Sequence, residues 1–449
     1  AYYSEDGIFD STPKEDYNAN IGLQRFNLRS NVDMDLTKTT QLSIDMSGQY
    51  LKKNQPGYTS DEIFNYISHF PVHVIPMYYS DDTASDHGAP GYGVEYQPYN
   101  MLNNSGYSKT WSAFLQTKVT LKQDLKFITE GLSVKGSVSF DADFSSTMKR
   151  SKTPQTFFAL GRNEDGTLNK KTIKESSALS NPYKSSTDGT KKIYMEASLD
   201  YQRSFNKMHD VTGMILYMQK ETQYQNKEGL QLLPYRKQSV VGRATYGYDD
   251  RYMLEASMGM TGSENFAQGH RWGIFPAVGA AWFVSHEKFM RGVEDYISKL
   301  KLRASYGKMG DDNSSTYQFL SGYDYPSGGY VMGNSYVNGL GMRGMANPYI
   351  TWYTSKMLNV GLDADLWSGL LGFQFDIFSR DRDGLLATRN LSLPGTVGAG
   401  LPQENLEGDL TKGFELALTH RNQIRDFNYY FSGNISFTRT HWTYKEISQ

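Results

Sequence analysis

The sequence predicts an all-β chain, an antiparallel up-and-down transmembrane β-barrel with long loops at one end and short turns at the other. Three observations lead there. Apolar residues recur at every second position, in runs longer than the usual strand. The connections between these runs alternate between short and long. No run of about 18 apolar residues occurs, which removes membrane-crossing helices but not a barrel, whose strands show lipid only alternate side chains.

In order, the alternating runs cover 21–36, 40–52, 111–123, 131–144, 191–204, 210–222, 238–248, 251–261, 271–284, 299–308, 355–367, 370–380, 412–421 and 427–439, about fourteen strands. In the second run Leu42, Ile44 and Met46 alternate with Ser43, Asp45 and Ser47. The stretch RATYGYDDRYMLEASMGMTG (243–262) is a hairpin in itself: Ala244, Tyr246 and Tyr248 share one parity before the Asp249-Asp250 turn. After it, Tyr252, Leu254, Ala256, Met258 and Met260 share one again. Further on, Leu358, Val360, Leu362, Ala364 and Leu366 alternate with Asn359, Gly361, Asp363 and Asp365, and Phe414, Leu416 and Leu418 with Glu415 and Thr419.

The connections carry the stronger signal. Those at 53–110, 145–190, 309–354 and 381–411 are long. Those near Thr37 and at 124–130, 205–209, Asp249-Asp250, Ser368-Gly369 and 422–426 are short. Two more, 223–237 and 262–270, are intermediate, and 285–298 is an unusually long member of the short set. A meander with all its long loops at one end is the layout of an outer-membrane barrel, with extracellular loops and periplasmic turns. A soluble sandwich has no reason to sort loop length by parity.

Bulk composition bounds the function. The chain has 449 residues, with 46 Lys plus Arg against 48 Asp plus Glu, so no basic face argues for nucleic acid. It has no cysteine, which excludes disulfides and thiolate metal sites. Mean hydropathy is −0.58, yet 14% of residues are aromatic and 33 are Tyr. The opening Ala1-Tyr2-Tyr3-Ser4-Glu5-Asp6 has neither the basic nor the apolar region of a signal peptide, and HWTYKEISQ at the other end is not a clean terminal strand. The expectation is an internal piece of a longer chain.

On this reading the apolar parity faces lipid and the polar parity a wet lumen. Trp272 and Trp282 share the outward parity with Ile274, Val278 and Ala280. Ten residues at about 3.3 Å each, tilted by about 40°, separate the two by roughly 25 Å along the membrane normal, the height of an apolar band between two aromatic girdles. Trp272 and Trp282 are therefore the expected girdle residues.

Several segments, in order, resemble the SusC-type (RagA/SusC-like) TonB-dependent transporters of Bacteroidota outer membranes. They are RYMLEASMGMTGSENFAQGHRWGIFPAVGAAWFVSHEKFM (251–290), LKLRASYGKMGDDN (300–313), NPYITWYTSKMLNVGLDADLWSGLLGFQFDIFSRDRDGLL (347–386) and LPGTVGAGLPQENLEGDLTKGFELAL (393–418). FNLRSNVDMDLTKTTQLSIDMSGQY (26–50) has a looser likeness. The resemblance implies a 22-strand barrel around an N-terminal plug. Residues 1–449 would then be a middle arc of the barrel, with plug, TonB-contacting segment and terminal strands lying elsewhere. An open arc exposes unpaired backbone to lipid, which is prohibitive. The resemblance further implies TonB-driven import of an oligosaccharide or peptide, a SusD-like surface lipoprotein as lid, no cofactor and no enzymatic chemistry. The rival readings are a siderophore or cobalamin receptor, a soluble β-rich carbohydrate-binding protein or adhesin, and a barrel enzyme.

Candidate chemistry is sparse. His69 and His73 lie four apart, but SHFPVHVIP is broken by proline and makes a poor helical metal pair. Asp81, Asp82, Asp86 and His87 read as a solvated acidic loop in preference to a calcium site. NEDGT (163–167) lacks the distal Glu of an EF-hand, and the glycines of 88–100 follow no strand. No nucleophile elbow or triad spacing stands out. The loops instead gather tyrosines among Gly, Asn and Asp. Tyr92, Tyr96 and Tyr99 in one loop and Tyr330 and Tyr336 in another are the candidate ligand-binding residues, since flat aromatic faces with a phenol suit sugar rings and peptide side chains.

Overall fold

The computed structural model describes residues 1–9, 17–69, 76, 78–83, 97–314, 316–389, 396 and 399–446. In chain order the strands are Tyr2–Asp6 (β1), Gly22–Asp35 (β2), Thr40–Pro56 (β3), Gly106–Asp124 (β4), Leu132–Ser151 (β5), Thr156–Arg162 (β6), Leu168–Lys174 (β7), Tyr183–Phe205 (β8), His209–Tyr224 (β9), Tyr235–Tyr248 (β10), Tyr252–Ser263 (β11), Trp272–Phe283 (β12) and Ile297–Asp311 (β13). Four short strands follow, Tyr323–Asp324, Gly329–Met332, Ser335–Asn338 and Gly341–Met342 (β14 to β17). The last are Tyr353–Leu366 (β18), Leu371–Thr388 (β19), Gln403–Ile424 (β20) and Phe427–Tyr444 (β21). Two helices, Ser60–His69 (α1) and Pro98–Asn103 (α2), lie between β3 and β4.

Fifteen strands form one antiparallel sheet in which each pairs with its neighbour in sequence, from β1 to β21, with β6/β7 and β14 to β17 set apart in the long loops. All fourteen predicted strands are present. The addition is β1, which pairs with β2 from Tyr2 opposite Phe26 to Asp6 opposite Gly22. The strands also run further than predicted at the long-loop end: 131–144 becomes Leu132–Ser151, 191–204 becomes Tyr183–Phe205, and 412–421 becomes Gln403–Ile424. Beyond the hydrocarbon both faces of a strand meet water, so the alternation that marks a strand fades while the hydrogen-bond ladder continues.

Among the described residues the sheet is a single layer, with no second layer to bury its apolar face. Among the described residues, the large buried hydrophobics sit in loops and rims, not along the middle of the wall. Leu254, Met258, Ile274, Val278, Val360 and Ile377 stay exposed on one face. That pattern suits a wall whose apolar face is solvated by lipid. In β12 the exposed positions are Trp272, Ile274, Pro276, Val278 and Ala280, every second residue.

The short turns follow from local chemistry. Asp249 and Asp250 both have positive φ, 50° and 51°, the two-residue hairpin geometry whose twist matches the flanking strands and that Asp tolerates. Asn206-Lys207 and Trp367-Ser368 adopt the same conformation. The last pair breaks the usual preference, since a bulky residue with positive φ is strained; Gly369 follows with φ of 88°.

Candidate functional site

The polar face carries a ladder of ion pairs. Arg303 on β13 donates from Nε to Asp363 Oδ1 at 3.1 Å and from Nη2 to Asp376 Oδ2 at 2.6 Å, joining three adjacent strands. A Cβ at position 361 would lie 2.6 Å from the Arg303 Cζ, so Gly361 makes room for this fork. Arg243 grips Glu255 with two bonds of 2.8 and 2.9 Å. Glu196 accepts from Tyr194 at 2.7 Å and faces Lys118 and Lys135 at 3.5 and 3.7 Å. Such pairs stand comfortably only on a wet face, which makes this side the lumen.

At the long-loop end the lumen side closes over a small core. Phe266, Ile350 and Trp352 are buried together, with Phe275 and Leu386 packed on them. Trp352 meets Phe266 and Phe275 edge-on, with centroids 5.5 and 5.2 Å apart. Its Nε1 donates to the Arg271 carbonyl at 2.8 Å. Phe275 occupies space that only glycine leaves: a Cβ at Gly310 or Gly273 would come within 2.1 or 2.3 Å of its ring. Beside this core Asp312 is almost wholly buried and accepts from Tyr235, Lys237 and Ser263. Asn265 Nδ2 donates to the Asp312 carbonyl at 2.9 Å. Asn405 completes the tie, donating to the Thr351 and Gly384 carbonyls at 2.8 Å each. Segments 263–271 and 350–352 and Asp312 are thereby fastened to one another and to β19 and β20 at the rim.

From this base the segment 323–345 projects as an exposed arm. Tyr330 is 76% and Tyr336 63% exposed, alongside exposed Tyr323, Tyr325, Met332 and Met342. The β15–β16 register sets Tyr330 opposite Val337 and Val331 opposite Tyr336. Tyr330 and Tyr336 therefore stand on opposite faces of their hairpin and cannot close on one ligand as a pair. Tyr92 and Tyr96 lie outside the described residues. Tyr99, on α2, packs edge-on against Tyr78 at 5.0 Å, and burial first, then its hydrogen bond with Tyr99, pushes the Tyr78 phenol well above its usual pKa.

The acidic loop is engaged internally. Asp81 pairs with Lys170 of β7 and accepts from Thr83 Oγ1 at 2.6 Å. These bonds, the one from Lys170 foremost, draw its carboxyl down to about 2. The Tyr79 hydroxyl donates to the Phe157 carbonyl at 3.2 Å and accepts from the Ala159 amide at 3.1 Å. So the β6–β7 hairpin is pinned to segment 78–83. Asp86, His87 and His73 fall outside the described residues, and among the described residues no group of three His, Asp or Glu gathers as a metal site.

A family model described as the β-barrel of TonB-dependent receptor-like proteins matches residues 77–448. The chain belongs to this TonB-dependent receptor β-barrel family. A TonB-dependent receptor of Formosa agariphila is 26% identical over 456 aligned positions, covering 98% of this chain and 43% of the relative. The TonB-dependent receptor SusC of Bacteroides thetaiotaomicron is 26% identical over 217, covering 47% of this chain and 21% of SusC. In three dimensions the barrel superposes on the RagAB peptide importer with a TM-score of 0.66 at 19% identity, over 98% of this chain and 48% of that one. The chain thus spans less than half the length of these relatives. Family membership places this TonB-dependent receptor barrel in the bacterial outer membrane.

The two tryptophans of the receptor barrel stand on its apolar face at opposite ends of β12. Trp272 lies over Gly262, where a Cβ would sit 3.1 Å from its ring. Trp282 stacks on Tyr252 at 6.4 Å and 12°, and its Nε1 donates to Glu287 Oε1 at 3.1 Å. Tyr252 donates to the same oxygen at 2.6 Å and itself stacks on Tyr248. The buried Asp312 cluster and the Trp352 core were missed in the sequence. The only trace of them is the doubled Asp311-Asp312 after a strand and a Trp two residues beyond Ile350.

Proposed function

We propose that the chain is part of the barrel of an active importer, powered through TonB acting on a plug that belongs to a longer chain. Residues 1–449 form one partial barrel domain in this reading. The substrate is an oligosaccharide or a peptide, received at the loop end together with a SusD-like surface lipoprotein. The observation that carries the reading is the exposed tyrosine- and methionine-bearing arm at 323–345, held by a fixed core above a polar lumen. The kinship with SusC, and a fold shared with a protein described as a peptide importer, support it. The barrel moves solute and performs no chemistry on it. Trp272 and Trp282 serve as its two aromatic girdles.

The test uses the full-length protein with its co-purifying partners. Calorimetric titration with defined oligosaccharides, short peptides and a ferric catecholate should give saturable binding to one of the first two. Tyr330→Ala and Tyr336→Ala, made separately, should split: one weakens ligand about tenfold, the other weakens lipoprotein capture. This follows if a stacked aromatic contributes about 0.5–1.5 kcal/mol. Changing Tyr92, Tyr96 and Tyr99 together to Ala should compound the ligand effect. Binding of the ferric catecholate alone would replace this reading with a siderophore receptor.

A further inference from the structure

We propose that the outer face of the wall holds a phospholipid of the periplasmic leaflet at a defined site, a role separate from import. The apolar face is not uniformly bulky. From β9 to Leu358 of β18 it sinks into a groove of about 690 Å³, which joins a second of about 510 Å³, reaching back to Leu199 of β8 and Leu132 of β5, through Ala244, Ala256 and Val278, which line both. Its floor is Gly213, Ala244 and Ala256, placed side by side by register. Leu254, Tyr246 and Ile215 stand at its sides. With strands about 4.8 Å apart, the crossing from β9 to β13 is roughly 19 Å, enough to lay down an acyl chain that must fill a leaflet of roughly 15 Å. The groove begins one outward row, two residues along the strands, beyond the Tyr248–Tyr252–Trp282 row at the short-turn end. Its occupant therefore comes from the periplasmic leaflet.

A headgroup site lies at the same rim. Arg203 of β8 is in register with Val211, a groove residue, and belongs to the outward parity with Leu199 and Phe205. An outward arginine at the edge of a lipid-facing wall snorkels to the interface, and here its guanidinium lies 5.0 Å from the Phe205 ring and reaches Glu130 of the 125–131 turn at 3.3 Å. One bond to Glu130 leaves further N–H donors of the planar fork for phosphate oxygens. Lys207 in the adjoining turn adds a second positive charge, and His209 with the Tyr246 hydroxyl, 2.8 Å apart, offers polar atoms at the groove mouth. The apolar trough and the local pair of cations at its β8–β9 corner, Arg203 and Lys207, set apart from the acidic Asp249-Asp250 and Glu287 further along the rim, together select an anionic, two-chain lipid over either half alone.

The test takes the full-length protein purified in detergent, delipidated, and titrated with palmitoyl-oleoyl phosphatidylglycerol under native mass spectrometry. Inorganic phosphate and a neutral diacylglycerol serve as the two separated halves. The native protein should retain phosphatidylglycerol. Filling the groove with Ala244→Leu plus Ala256→Leu should cut retention at least fivefold, and Arg203→Gln should weaken it about tenfold while leaving diacylglycerol binding unchanged. Heat-modifiable migration reports whether each variant still forms its barrel; Arg203→Gln, at the rim, keeps the question answerable if the filled groove does not assemble. Retention unchanged by Arg203→Gln overturns the site. So does a filled groove that dissociates a protein partner while lipid stays bound, since a protein then covers this face.

Discussion

Met258 and Ser257 are neighbours in β11 on opposite faces, and substituting each by arginine separates the two solvents of the wall. Met258 is 57% exposed on the apolar face. It lies six residues from Tyr252, whose partner is Trp282, and four from Gly262, whose partner is Trp272. At about 2.5 Å of height per tilted residue, that puts it roughly 15 and 10 Å from the two aromatic levels, close to mid-membrane. An arginine there should cost about 2–4 kcal/mol, a loss of roughly 30- to 700-fold in the folding constant. Ser257 faces the lumen directly opposite Arg243. Its replacement sets two cations about 5 Å apart, worth about 0.8 kcal/mol in water. The nearby Glu255, held by Arg243, reduces this further. Urea titration of the full-length protein refolded into vesicles measures both. A Ser257→Arg loss equal to or larger than the Met258→Arg loss would refute the assignment of faces.

Three further outcomes follow from the structure. Because the chain has no cysteine, single cysteines report sidedness: an impermeant maleimide on whole cells should label Tyr330→Cys and spare Asp250→Cys, and labelling at 250 would invert the barrel. Trp352→Ala removes the centre of the loop core; large aromatic-to-alanine changes in buried sites cost about 3–5 kcal/mol, so trypsin cleavage at Arg343 should accelerate at least tenfold with barrel migration unchanged, and an unchanged rate would show the core does not hold the arm. The Asp81–Lys170 tether titrates with the carboxylate. Its folded pKa, about 2, lies below the unfolded value of about 3.9, so the tether is complete above pH 4 and lost as pH falls towards 2. The anisotropy of a dye on Asp165→Cys should be flat from pH 7 to 5 and fall below pH 4, and Lys170→Met should show the low value at pH 7; a step between pH 7 and 5 would contradict the assignment.

The wall was legible because lipid on one side and water on the other write a period of two into every strand that crosses. Leu358, Val360 and Leu362 against Asn359 and Gly361 need no knowledge of their neighbours. Where both faces are wet the signal stops, which is why 145–151, 183–190 and 403–411 read as loop although they are strand. The short β1 offered only five residues, none buried. Helix α1 carries a readable start, since Thr59 and Glu62 form a reciprocal capping box, Thr59 N to Glu62 Oε2 at 2.6 Å and Glu62 N to Thr59 Oγ1 at 3.2 Å. The Asp312 cluster was not readable, because its members come from 235, 237, 263 and 312, distant in sequence and joined only by register. The opposition of Tyr330 and Tyr336 likewise depends on a register that their spacing alone does not give.

The order of the large sheet, each strand beside its predecessor and its successor, bears on how such a wall comes into being. Pairs such as β8–β9, β10–β11 and β20–β21 are closed by tight turns, so their register is set locally, whereas the β3–β4, β5–β8 and β13–β18 ladders close the long loops 57–105, 152–182 and 312–352 at an entropic cost that grows only slowly with length. Growth can proceed by accretion, one hairpin at a time, each new strand using the last as its template. At every stage two unsatisfied edges are exposed, that of the first strand and that of the newest, and a lesion in a tight turn such as Asp249-Asp250 would halt everything that follows it in the chain.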